Sequence, residues 1–205
     1  MIGQVLPILA RQFSLNDLWL SYFFPAQFAG SLLGTFLTGR FARRGDQIMA
    51  AAVGGMAMVL GLLLMNIDAL QVCLVGFFIN GIGIGLTLPS INMKIVELES
   101  DRSGAALSIL NFCWGIGAII SKPFVDIFST ANSVGVTTII LAVALFFPTL
   151  LLFVIKKDKL EHASRTDATH ADLSIWTMPL AWMIALFNFI HVGFESGIGG
   201  WLTTY

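Results

Sequence analysis

Glu195 is the acid in this chain best placed to do chemistry. It stands in an apolar run, with no basic residue at comparable depth. The cost of a bare carboxylate in apolar surroundings favours the protonated form, which suits a proton-coupling group or a partner for a hydroxyl-rich solute. Asn188, His191 and Glu195 fall at i, i+3 and i+7, which places them on one face of a helix. A hydrogen bond between the neutral carboxyl and His191 is the simpler use of the pair. Two ligands on one helix leave a metal site incomplete, so no metal is expected there. Uncharged polar groups complete the set. Gln27 and Asn80 each lie midway along an apolar stretch, Asn92 lies near the end of its stretch, and Asn111 and Trp114 share a helical face. Any one of these amides could simply tie two helices together, whereas jointly they favour a shared polar cavity.

The elements that position them follow from composition. The chain is 57% hydrophobic and 11% charged, with 20 Gly and 17 Phe. A soluble domain carries about 25% charged residues. Too few charges are present to coat a water-facing surface, so a soluble enzyme and a disordered protein are poor readings. The net charge of −1 implies no nucleic-acid partner. Cys73 and Cys113 lie in apolar runs and suggest no disulfide framework. No lysine occurs in 173–205 to carry a retinal, and one deep acid is too few for an intramembrane protease.

Six stretches hold no Asp, Glu, Lys or Arg: 18–39, 47–67, 69–93, 103–121, 127–155 and 173–194. Each is long enough to cross a bilayer, which takes about 20 apolar residues. The expected fold is all-α, a polytopic membrane helix bundle. Its helices are expected at about 1–12 (partial), 17–40, 47–67, 69–93, 103–125 and 133–155. A linker follows over 156–174, then a further helix in 175–205. If loops alternate sides, nine basic residues (Arg40, Arg43, Arg44, Lys94, Arg102, Lys156, Lys157, Lys159, Arg165) face two (Arg11, Lys122). That bias puts the 156–174 loop in the cytoplasm. The loop holds four basic and four acidic residues with His162 and His170, and reads as a solvated linker. Lys122, beside Pro123, is expected to snorkel to the interface. Small residues recur four apart at Gly30/Gly34, Gly81/Gly85 and Gly193/Gly197, joined by Gly83, Gly115 and Gly117. They suit close helix packing, or thin helices that rock during transport.

Three segments resemble the major facilitator superfamily of secondary transporters, in its sugar-permease-like branch near the fucose and sodium-glucose type carriers. GTFLTGRFARRGDQ at 34–47 looks like the superfamily's Gly/Arg-rich loop. Its Gly39, Arg40, Arg43 and Arg44 would then serve as a cytoplasmic latch, although Ala42 and Arg43 stand where an acid normally precedes the loop arginine. The stretch 81–124 is similar to that branch's fourth and fifth helices, including NFCWGIGA at Asn111 to Ala118. HVGFESGIGGWLTTY at 191–205 looks like its seventh helix.

The resemblance implies a twelve-helix carrier of which this chain supplies the end of helix one, helices two to six, the linker and helix seven. The missing C-terminal bundle would be its structural partner. It implies alternating-access transport of a monosaccharide or similar small polar solute, driven by protons or sodium, across the plasma (inner) membrane, with no cofactor and no enzyme activity. On that reading Gln27, Asn80, Asn111, Asn188 and His191 bind solute hydroxyls, Trp114 stacks on a sugar face, and Glu195 couples protons. An efflux carrier for hydrophobic compounds and a non-transporting scaffold are the rival expectations.

Overall fold

The structure, a computed structural model, describes residues 2–129 and 133–154 together with 179, 182, 183, 186, 187 and 190. The chain divides into two units, Met1–Ile155 and Lys156–Tyr205. In the second, the described residues are helical and exposed, among them Trp182, Met183, Leu186, Phe187 and Ile190. Asn188, His191 and Glu195, and the linker expected over 156–174, lie outside the described residues.

The first unit is all-α: α1 (Ile2–Gln12), α2 (Asp17–Ser21), α3 (Phe23–Ala42), α4 (Gln47–Leu64), α5 (Leu70–Leu98), α6 (Ser103–Phe128) and α7 (Gly135–Val154). The stretch expected as one helix over 17–40 is divided at Tyr22. Asn16 caps α2 by accepting the Trp19 N–H at 3.0 Å. Pro25 then has no N–H to offer the Ser21 carbonyl, so the ladder lapses before α3 proper begins. α3 stops before Gly45, whose φ of +69° is the left-handed conformation that ends helices and favours glycine. α5 outruns its apolar core to Leu98, where Lys94 and Glu97 pair at 3.1 Å one turn apart.

Among the described residues, four helices are long and apolar enough to cross a membrane: Gln47–Leu64, Leu70–Leu98, Ser100–Phe128 and Gly135–Val154. α3 matches α7 in length, at 20 residues, but is absent from that group, because Gln27, Ser31, Thr35, Thr38 and Arg40 dilute its apolar character. Thr35 turns its hydroxyl back onto its own helix, donating to the Ser31 carbonyl at 2.9 Å.

α5 is the centre of the bundle, with α3 on one side and α4 on the other, and α7 packs on α4. The apolar core gathers Leu9, Phe23, Val59, Leu62, Met65, Cys73, Phe77, Val125 and Val134. Phe23 meets Phe77 edge-on at 4.9 Å between ring centres. Gln12 donates to Asp68 at 2.8 Å, tying the end of α1 to the α4–α5 turn. At their glycines, α3 and α5 meet backbone to backbone. A β-carbon on Gly30 or Gly34 would run into the Phe78 or Ile82 carbonyl, and one on Gly81 or Gly85 into the Gln27 or Ser31 carbonyl. α6 is different. Val125 is its buried residue, and Gly104, Gly115 and Gly117 face open space among the described residues. The glycines of α6 therefore do not thin a helix contact there, unlike those of α3 and α5.

Candidate functional site

The glycine seam brings two amides together across 53 residues of sequence. Gln27, on α3, donates its Nε2–H to Asn80 Oδ1 on α5 at 3.3 Å. Asn80 in turn donates its Nδ2–H to the Met58 carbonyl of α4 at 3.5 Å. Both amides are half-buried, and the approach depends on missing side chains. A β-carbon on Gly61 would stand 2.7 Å from the Asn80 nitrogen, and one on Gly81 would overlap the Gln27 carbonyl. Three helices thus converge on an uncharged polar relay.

The relay has a direction. A backbone carbonyl only accepts, so Asn80 must turn its NH2 toward Met58 and its Oδ1 toward Gln27. Gln27 must then turn its own NH2 inward. Its Oε1 is left over, buried and without a hydrogen-bond partner among the described residues. A buried acceptor with nothing to accept costs free energy, on the order of 1–3 kcal/mol, until a donor arrives.

The other expected site residues are not joined to this relay. Asn111 and Trp114 ride on α6, where Trp114 is 63% exposed and Asn111 has no hydrogen-bond partner among the described residues. Asn92 is exposed on α5. Around the α3–α4 turn, Arg43 donates from Nε to the Gly39 carbonyl at 3.4 Å, closing the helix end, while Arg40 and Arg44 are exposed. Lys122 pairs with Asp126 one turn along α6, both side chains about half exposed.

Sequence reasoning missed the Met58 carbonyl, which no side-chain pattern reveals, and Thr38. Thr38 is 2% exposed and touches both α3 and α5. It continues the four-residue spacing of Gly30 and Gly34, and that spacing was the signal available. At the opposite end, Asn66 donates to Thr138 at 2.9 Å, and the Ser129 and Thr137 hydroxyls share a bond of 2.6 Å.

No curated protein and no solved structure matches the chain. The family model described as Major Facilitator Superfamily matches residues 1–205. With an all-α fold and helices apolar enough to cross a bilayer, the chain belongs to the Major Facilitator Superfamily, a family of membrane-embedded secondary transporters rather than enzymes.

Proposed function

We propose that the transported solute is a monosaccharide or a similar neutral, hydroxyl-rich molecule, as in the sugar-permease-like branch, and that protons or sodium drive it. The observation that carries this reading is the buried Gln27 Oε1, which has no partner among the described residues, at the end of an uncharged relay. A group docking there must bring a hydrogen to donate. A sugar hydroxyl does so, whereas a carboxylate or phosphate would oppose an acceptor with another acceptor. The gain in specificity is large because a solute lacking the hydroxyl leaves the site unsatisfied. Asn111 and Trp114, with Asn188 and His191, would complete the solute contacts. Glu195 would carry the proton, and the membrane would be the plasma or inner membrane with 156–174 in the cytoplasm.

The test is thermal stabilisation of the purified chain by a panel of free monosaccharides and lipophilic cations. A solute at a hundred times its dissociation constant adds about 2.7 kcal/mol. The expected result is a raised midpoint with one or more sugars, absent in Gln27→Leu. Stabilisation by lipophilic cations alone, or by nothing in the panel, contradicts the reading. For coupling, Glu195→Gln should abolish the pH dependence of uptake in vesicles, and an unchanged pH profile removes Glu195 from that role.

A further inference from the structure

Pro89 lies inside α5, and a proline there withholds the N–H that the carbonyl four residues earlier needs. That carbonyl belongs to Gly85. In an apolar environment it must find another donor, and neighbouring hydroxyls are the usual substitutes. The Thr38 Oγ1 of α3 lies 3.0 Å from the Gly85 oxygen, 3.1 Å from the Gly34 oxygen and 3.3 Å from the Leu86 oxygen. One hydroxyl has one hydrogen. Gly34 is four residues before Thr38 within α3, so its carbonyl takes the Thr38 backbone N–H. Leu86 stands in the same relation to Ser90 within α5. Gly85 alone of the three lacks the N–H four residues on, and it is also the nearest.

The packing makes this reach possible. A β-carbon on Gly34 would lie 3.0 Å from the Gly85 Cα, so the two backbones touch one turn away from the short Thr38 side chain. Pro123 and Pro148 offer a comparison. Near them Ser121 donates to Ala118 and Thr149 to Leu145, neither of which is the carbonyl that the proline deprives. Among the described residues, and of these three prolines, only the break at Pro89 is met by a hydroxyl, and that hydroxyl comes from another helix.

We infer that Thr38 is a latch in trans. Its hydroxyl replaces the N–H missing at Pro89 and pins the weak point of α5 to α3. While it is engaged, the portion of α5 beyond Pro89 follows α3. Withdrawn, it leaves Gly85 unsatisfied and α5 free to bend. The latch lies five residues along α5 from Asn80, so bending there changes how the far part of α5 is carried relative to the amide relay.

A double-mutant cycle on the 205-residue chain in detergent micelles tests this, read by the thermal exposure of buried Cys73 to a thiol-specific fluorophore in a Cys113→Ser background. Thr38→Val, which keeps shape and removes the hydroxyl, should lower the midpoint by roughly 2–6 °C, the size of one interhelical hydrogen bond. Thr38→Ser should retain most of it. In Pro89→Ala, which restores the N–H to Gly85, Thr38→Val should cost less than a third as much. Equal losses in both backgrounds, or a loss in Thr38→Ser matching that in Thr38→Val, overturn the proposal. If Pro89→Ala does not fold, hydrogen–deuterium exchange decides. Thr38→Val should speed exchange around 86–93 and leave 70–80 unchanged, and a uniform change refutes the latch.

Discussion

Gly85→Ala is the sharpest probe of the α3–α5 seam. The added methyl would stand 2.8 Å from the Ser31 carbonyl carbon and 2.9 Å from the Thr35 nitrogen, with its hardest contact on the Ser31 oxygen. All of these are backbone atoms, which no rotamer change can clear. The helices must part by roughly 1 Å, a gap that forfeits up to half of each dispersion contact along the seam. The Thr38–Gly85 bond at 3.0 Å and the Gln27–Asn80 bond at 3.3 Å stretch past useful length. Overpacking costs about 1–3 kcal/mol, and each interhelical bond adds about 0.6 kcal/mol, giving roughly 2–4 kcal/mol. For a chain of this size that is a midpoint lowered by about 4–16 °C. Cys73 reports it well, being 0% exposed, once exposed Cys113 is replaced by serine. Gly115→Ala is the control, since nothing lies within 4 Å of its added carbon. It should stay within about 0.5 kcal/mol of the parent or gain slightly from helix propensity. Should Gly85→Ala move the midpoint no further than Gly115→Ala, the backbone-to-backbone contact does not exist.

Other perturbations separate the remaining arguments. Asn80→Ala should cost more than Gln27→Ala, by about 0.6 kcal/mol, since Asn80 holds two bonds of the relay and Gln27 one; equal losses in thermal melts would break up the relay. Ser90→Ala should raise the midpoint by about 2–4 °C, because it removes a fully buried hydroxyl that has no partner among the described residues, and a lowered midpoint would mean that the hydroxyl is bonded. Gly45→Ala and Gly39→Ala both add a methyl to open space, yet only Gly45 has positive φ. The first should therefore cost about 1 kcal/mol, whereas the second, inside α3, should gain up to about 0.5–1 kcal/mol from helix propensity, which chemical denaturation can check.

The helical class was legible because a bilayer forbids charge within a span, so runs such as 47–67 and 69–93 announce themselves. The division at Tyr22 was less legible. An apolar run hides a missing N–H, and only Pro25 marks it. Gln27 and Asn80 were legible one by one as polar groups at depth. Their meeting was not, since it depends on Gly61 and Gly81 standing where side chains would have kept the amides apart. The pattern that flagged Gly30 and Gly34 applied equally to Gly115 and Gly117, yet spacing does not say whether a neighbour is there. Thr38 was passed over because a threonine in a membrane helix ordinarily bonds its own preceding turn. Its reach to Gly85 becomes visible only when two backbones touch.

The relay of Gln27, Asn80 and the Met58 carbonyl contains no formal charge. A membrane potential acts on charge, at about 2.3 kcal/mol per elementary charge per 100 mV. Reorganisation of these amides is therefore electrically silent. Any voltage dependence of turnover must enter through charge carried elsewhere, on an ionisable group of the chain or on a charged species that it moves, and not through these amides.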